Sequence, residues 1–123
     1  MKDLENKKSN IILDKSFEFA VRIVNFAKHL QEQKEYVISK QIIRSGTSIG
    51  ANAEEAIGSI STPEFIHKLS IAYKEARETK YWLKLLHATK YLSDQEFESL
   101  HKDSEEICRI LFKIIDTTKS KDK

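Results

Sequence analysis

The stretch Arg44-Ser45-Gly46-Thr47-Ser48-Ile49-Gly50-Ala51-Asn52-Ala53-Glu54-Glu55-Ala56 decides the fold. Ile38, Ile42, Ser45, Ile49, Asn52 and Ala56 recur at alternating four- and three-residue steps, the spacing of one helix face. Gly46 and Gly50 nevertheless each cost about 1 kcal/mol of helix propensity relative to Ala. A helix that carries them must recover that loss by letting neighbouring backbones come close. The segment holds no recognisable reaction chemistry: its glycines match no phosphate-loop spacing, and no Lys-Ser/Thr follows them. Ser45, Thr47 and Ser48 are expected to bond back to helix carbonyls or across helices.

Working outward, the spacing predicts four helices, near 11 to 32, 36 to 60, 63 to 90 and 94 to 117. The first has two apolar seams, Leu13-Phe17-Ala20-Val24-Ala27 and Phe19-Ile23-Phe26-Leu30, more than the stripe a surface helix of a small domain needs. Ser61-Thr62-Pro63-Glu64 and Ser93-Asp94-Gln95-Glu96 have capping-box spacing and open the third and fourth helices. The third helix keeps a seven-residue repeat through Phe65, Leu69, Ala72, Ala76, Thr79, Leu83 and Leu86, which implies shallow, coiled-coil-like crossings. Phe97, Leu100, Ser104, Ile107, Leu111 and Ile114 form the seam of the fourth. Short polar breaks make successive helices antiparallel. The expectation is one all-α domain over 1–123, an antiparallel four-helix bundle with its core at about 11–118 and frayed termini.

Charged residues make up 33% of the chain, with only three Gly and one Pro, a composition of a helical protein rather than a disordered or all-β one. The net charge of +2 neither demands nor excludes a nucleic-acid partner. It is unevenly spread: the third helix has six Lys/Arg against three Glu, the fourth three against seven Asp/Glu. Cys108, the single cysteine, sits beside the apolar seam position Ile107, where a buried thiol is ordinary, and no intrachain disulfide is possible. The segment MKDLENKKSN is charged, with no apolar run behind it of signal-peptide or membrane-span length, so a cytoplasmic protein is expected.

Glu64-x-x-His67 and Glu98-x-x-His101 invite comparison with carboxylate-bridged metal sites of four-helix bundles. In an antiparallel hairpin His101 lies level with about residue 82, which leaves His67 some 15 residues off, roughly 22 Å at 1.5 Å per residue. Neither histidine shares the phase of its core seam. No metal and no cofactor are expected. Asn52, Glu54 and Glu55 on the second helix and Lys74, Glu75, Arg77 and Glu78 on the third come level with one another. Buried or half-buried Asn and Glu need partners, so a register-fixing polar network is expected there, with a ligand contact as the alternative.

The phrases RSGTSIGANAEEA and FIHKLSIAYKEARETKYWLKLL resemble the signature segments of the bacterial four-helix-bundle family named for proteins encoded in intervening sequences of 23S rRNA genes. The similarity runs from about Phe17 to Thr118. It implies an up-down-up-down bundle, a ring-like homopentamer, and no enzymatic activity. A more distant resemblance is to the accessory variability determinant protein of diversity-generating retroelements, which implies nucleic-acid binding, although this chain is nearly neutral where phosphate binding wants charge.

Two function classes follow. One is an oligomeric module binding RNA or DNA through basic faces of the first and third helices, with Arg22, Lys28, Lys40, Arg44, Lys68, Lys80 and Lys84 as candidate contacts. The other is a protein-interaction scaffold with an unidentified protein partner, on which these residues are a solvated face. Self-association is expected on physical grounds from the second seam of the first helix and from Ile66, Tyr73, Trp82 and Leu85 outside the third helix's core register. The number five rests on the resemblance alone.

Overall fold

The computed structural model describes the backbone of residues 2–121 and the side chains of residues 10–121. The chain forms α1 (Lys2–Glu32), α2 (Val37–Ile57), α3 (Thr62–Ala88) and α4 (Asp94–Lys121), and no strand occurs among the described residues. The outer ends of α1 and α4 continue beyond the expected bounds, so the expected fraying at 2–10 and 118–121 gives way to helix; residues 1, 122 and 123 lie outside the described residues.

The two caps read from sequence are present. Ser61 Oγ accepts from the Glu64 amide at 3.3 Å while Glu64 Oε2 accepts from the Ile60 amide at 3.3 Å, and Ser93 Oγ accepts from the Glu96 amide at 3.1 Å. Helix α2 starts differently: Tyr36 offers no side-chain cap, and Glu35 Oε1 instead accepts from the Ser39 amide at 2.9 Å. Helices α1 and α3 end on lysines in the left-handed region, Lys34 at φ 65° and Lys90 at φ 69°. At each end the next residue's amide reaches back to a carbonyl in the last turn, Glu35 to Leu30 and Tyr91 to Leu86, both at 2.9 Å. This is the Schellman closure, made without the usual glycine.

The helices run up, down, up and down in a four-membered ring in which each packs closely on the next, α4 closes back on α1, and the diagonal backbones lie farther apart. Ile23, Ile42, Ile49, Leu69, Leu83, Ile107 and Leu111 lie at its centre. The α2, α3 and α4 seams fall on buried or half-buried positions as the spacing predicts. Two apolar stripes on one helix cannot both face one core, and α1 turns Ile12, Phe19, Ile23, Phe26 and Leu30 inward. Of the other stripe, Ala27 is buried, Leu13, Ala20 and Val24 are half-buried, and Phe17 stands 69% exposed.

Close approach of α1 and α2 explains the glycines. A Cβ on Gly46 would lie 2.7 Å from Ile23 Cγ2, and one on Gly50 would lie 3.2 Å from Ser16 Oγ. Gly46 therefore gives up helix propensity for space that the buried Ile23 side chain fills.

Candidate functional site

The polar residues expected between the second and third helices divide into an inner and an outer layer. Inside, the buried hydroxyls of Ser45 and Thr79 share a hydrogen bond of 2.9 Å, and Thr79 Oγ1 also lies 2.8 Å from the Glu75 carbonyl oxygen of its own helix. Outside, Arg44 bridges to α3: it donates to Glu75 at 3.1 Å and pairs with Glu78, which also accepts from Trp82 Nε1 at 3.0 Å. Glu75, Glu78 and Trp82 follow i, i+3 and i+7 spacing, so one face of α3 presents all three to Arg44. Nearer the α2–α3 turn, Lys68 pairs with Glu55 at 2.9 Å.

Four expected members sit elsewhere. Asn52 donates to the Ser48 carbonyl of its own helix at 2.8 Å, so its polar demand is met without α3. Arg77 lies on the α4-facing side, donating to the Tyr73 hydroxyl at 3.4 Å with its guanidinium 5.9 Å from that ring. Adjacency to Glu78 in sequence turned it about 100° away around the helix. Lys74 and Glu54 are exposed. Thr47 and Ser48 donate to the carbonyls of Ile43 and Arg44 at 2.7 and 2.6 Å.

The candidate nucleic-acid residues do not form one basic face. Arg22 donates to Asp103 at 2.5 Å and to Ser99 at 2.9 Å, Lys80 lies 3.8 Å from Glu105, and Arg44 and Lys68 are paired as above. Lys28, Lys40 and Lys84 are exposed and make no ion pair within the described residues. Lys28 and Lys40 sit on α1 and α2; Lys84 sits on α3, diagonally across the bundle from α1. Lys40 and Arg44 belong to the second helix rather than to the first or third. A further pair that the sequence did not signal, Lys15 with Glu106, ties α1 to α4. The hydrogen bond and charge of each partner raise the lysine pKa and lower that of the carboxyl.

The histidines of the two Glu-x-x-His patterns point to separate places. His67 is exposed, while His101 stacks on Phe97 with ring centroids 5.0 Å apart and lies 3.3 Å from Glu105. The other face of Phe97 is covered by His87, 4.3 Å away, whose Nε2 lies 2.7 Å from Asp94. Among the described residues no group of three or more His, Cys, Asp or Glu is placed to hold a metal. No helix among them is long and apolar enough to cross a membrane.

An open trough of about 680 Å³ lies on the outside of α4, walled by Ile11, Tyr73, Cys108, Ile110 and Phe112 with Arg109 and Lys113 at its rim. Burial pushes the Cys108 thiol above its ordinary pKa, so it stays protonated at neutral pH. Ile66, Tyr73, Trp82 and Leu85, read as surplus apolar surface, are each half-buried. The large apolar side chains that remain exposed include Phe17, Val21, Tyr81 and Phe112.

The fold and sequence both have known counterparts. The crystal structure of a protein of unknown function from the S23 ribosomal protein family of Bacteroides thetaiotaomicron VPI-5482 is 57% identical, with a TM-score of 0.87 over 89% of this chain and 98% of that one. No curated protein matches the chain significantly. Residues 8–113 match the family described as 23S rRNA-intervening sequence protein. With that match over most of its length, the chain belongs to the 23S rRNA-intervening sequence protein family.

Proposed function

We propose that this protein is a non-catalytic, self-associating scaffold that works through protein contacts. The observation that carries this reading is the exposure of large apolar side chains on the long faces of an otherwise well-filled bundle, Phe17 at 69% and Phe112 at 58%. A bundle with exposed apolar flanks buries them by assembling. The family resemblance suggests five copies.

Binding of RNA or DNA is the second reading, favoured by the exposed Lys28, Lys40 and Lys84 and weakened by the carboxylate partners of Arg22, Arg44, Lys68 and Lys80. With Lys28, Lys40 and Lys84 as the phosphate contacts, the slope of log K against log salt is limited to about 3 per subunit engaged.

Multi-angle light scattering on the purified chain, together with fluorescence anisotropy of a labelled RNA over a salt series, tests both. The scaffold reading expects a defined oligomer at micromolar concentration and RNA binding that vanishes near physiological salt. A monomer would overturn it. Tight, salt-resistant RNA binding would put the nucleic-acid reading in its place.

A further inference from the structure

Resting on the reading of self-association, one pair of surfaces stands out by its pattern. On α1 the sequence runs Asp14-x-x-Phe17-Glu18, and on α4 it runs Arg109-x-x-Phe112-Lys113. Each has an exposed phenylalanine with charged residues three positions before it and one after it, which places all three side chains on one part of the helix surface. The charges are acidic in one and basic in the other. All six side chains are exposed, and none of the four charged ones makes an ion pair within the described residues. This sets them apart from Lys15, Arg22, Glu106 and Asp103, which their own chain already pairs.

The two surfaces face different ways around the bundle. Lys15 and Arg22 reach α4, and Phe17, two residues beyond Lys15, lies about 200° round the helix from it. Phe17 therefore looks out on the side of α1 away from α4, beside Val21 and the half-buried Val24. Phe112 lies on the side of α4 that meets α3, its ring 6.2 Å from Tyr73, within the apolar trough. A single copy cannot bring Phe17 to Phe112. A two-fold pair mating either patch with itself would set like charges against each other.

We propose that the occupant of the α4 trough is the α1 face of a second copy of this chain. Phe17 and Val21 of one copy enter between Tyr73, Ile110 and Phe112 of the next, and Asp14 and Glu18 meet Arg109 and Lys113. Such a contact is heterologous: each copy gives one face and receives at the other, so assembly proceeds head to tail and closes as a ring or extends as a filament according to the rotation between neighbours. The aromatic anchors supply desolvation, and the rim charges select which face meets which.

The test uses two single-face variants, Phe17→Asp and Phe112→Asp, measured alone and mixed by sedimentation velocity, with circular dichroism confirming helicity. Each alone is expected to be monomeric at concentrations where the wild type assembles, with the apparent Kd raised about thirtyfold or more. Mixed, they retain one intact Phe17 face and one intact Phe112 face between them, and a discrete heterodimer that grows no further is expected. If either variant loses helicity, the double reversals Asp14→Lys/Glu18→Lys and Arg109→Glu/Lys113→Glu replace the pair under the same expectation: each is disrupted alone. Combined in one chain, the four reversals restore assembly. Wild type that is monomeric at about 100 µM would overturn self-association itself. Wild type that assembles while folded variants assemble equally well, or variants that stay monomeric when mixed, would overturn this contact and leave self-association standing.

Discussion

Along α1–α2, Gly46 and Gly50 bring two backbones together so that Ile23 and Ser16 occupy the space a Cβ would take, whereas along α1–α4 the same helix reaches across with Lys15 to Glu106 and Arg22 to Asp103. The α1–α4 seam is also the thinnest in the bundle. One flank of α1 is held by shape and the other largely by long polar side chains. Close-packed surfaces tolerate little change, because every added atom displaces another. Exposed ion pairs contribute little and lose little when cut. The two flanks should therefore answer mutation on different scales.

The largest effect is expected at Gly46. Its replacement by Ala puts a Cβ 2.7 Å from a methyl of the fully buried, β-branched Ile23, whose χ1 is held to one strongly preferred rotamer in a helix. A net loss of about 1–3 kcal/mol is expected in urea denaturation, after the roughly 1 kcal/mol that Ala gains in helix propensity, and Gly46→Leu should lose more. Gly50 sharpens the contrast. A Cβ there meets the Ser16 hydroxyl at 3.2 Å, a contact tight enough to offset most of the propensity gain, so Gly50→Ala should fall within about 1 kcal/mol of wild type. Equal effects at the two glycines would mean that approach distance is not what selects them.

On the other flank, Arg22→Ala removes the contacts to Asp103 and Ser99 and should cost only about 0.2–1 kcal/mol, shrinking further in high salt. A loss as large as that of Gly46→Ala would erase the distinction between the seams. The smallest effect is expected from pH. The folded-state pKa of Glu106 is lowered by Lys15, so its contribution is present above the unfolded value and lost as pH falls through the folded one. The pKa of Lys15 is raised by Glu106, so its contribution is present below the unfolded value and lost as pH rises through the folded one. Comparing Glu106→Gln with wild type across acid pH should show the two melting temperatures converging below the usual carboxylate range. Curves that stay parallel throughout would show that the pair contributes nothing to folding.

Much of this was legible in the sequence. Four helices, two of their caps and three of the four core seams follow from the spacing of apolar residues and from Ser61 and Ser93, because these signals are local. The inward face of α1 was not decidable, since both of its stripes have helical period and only the neighbours choose between them. The stops of α1 and α3 fall at or within two residues of the expected 32 and 90, although Lys34 and Lys90 hold positions where a stop is ordinarily read from glycine; the outer end of α1 was missed, because residues 2–10 carry no apolar period. In the polar region, Glu75 and Glu78 lie toward α2 and Arg77 does not, because adjacency in sequence says nothing of the 100° step between neighbours. Arg44 was read as a nucleic-acid contact and lies bound to both glutamates. The α4 trough was not legible from spacing alone, because Ile11 on α1 and Tyr73 on α3 complete a wall that residues 108–113 of α4 begin.

The turn ends carry one more implication. The α1–α2 and α3–α4 turns lie at the same end of the bundle, and both hold a lysine where glycine sits more comfortably, a strain of roughly 1–2 kcal/mol each. Ser39, in the first turn of α2 and so at that same end, buries a hydroxyl with no hydrogen-bond partner. Sub-optimal choices are thus concentrated at one pole, far from the α2–α3 turn and its capping box. Thermal loosening should begin at this pole and spread toward the other, so the bundle melts directionally, with amide exchange fastest around residues 34–39 and 89–92.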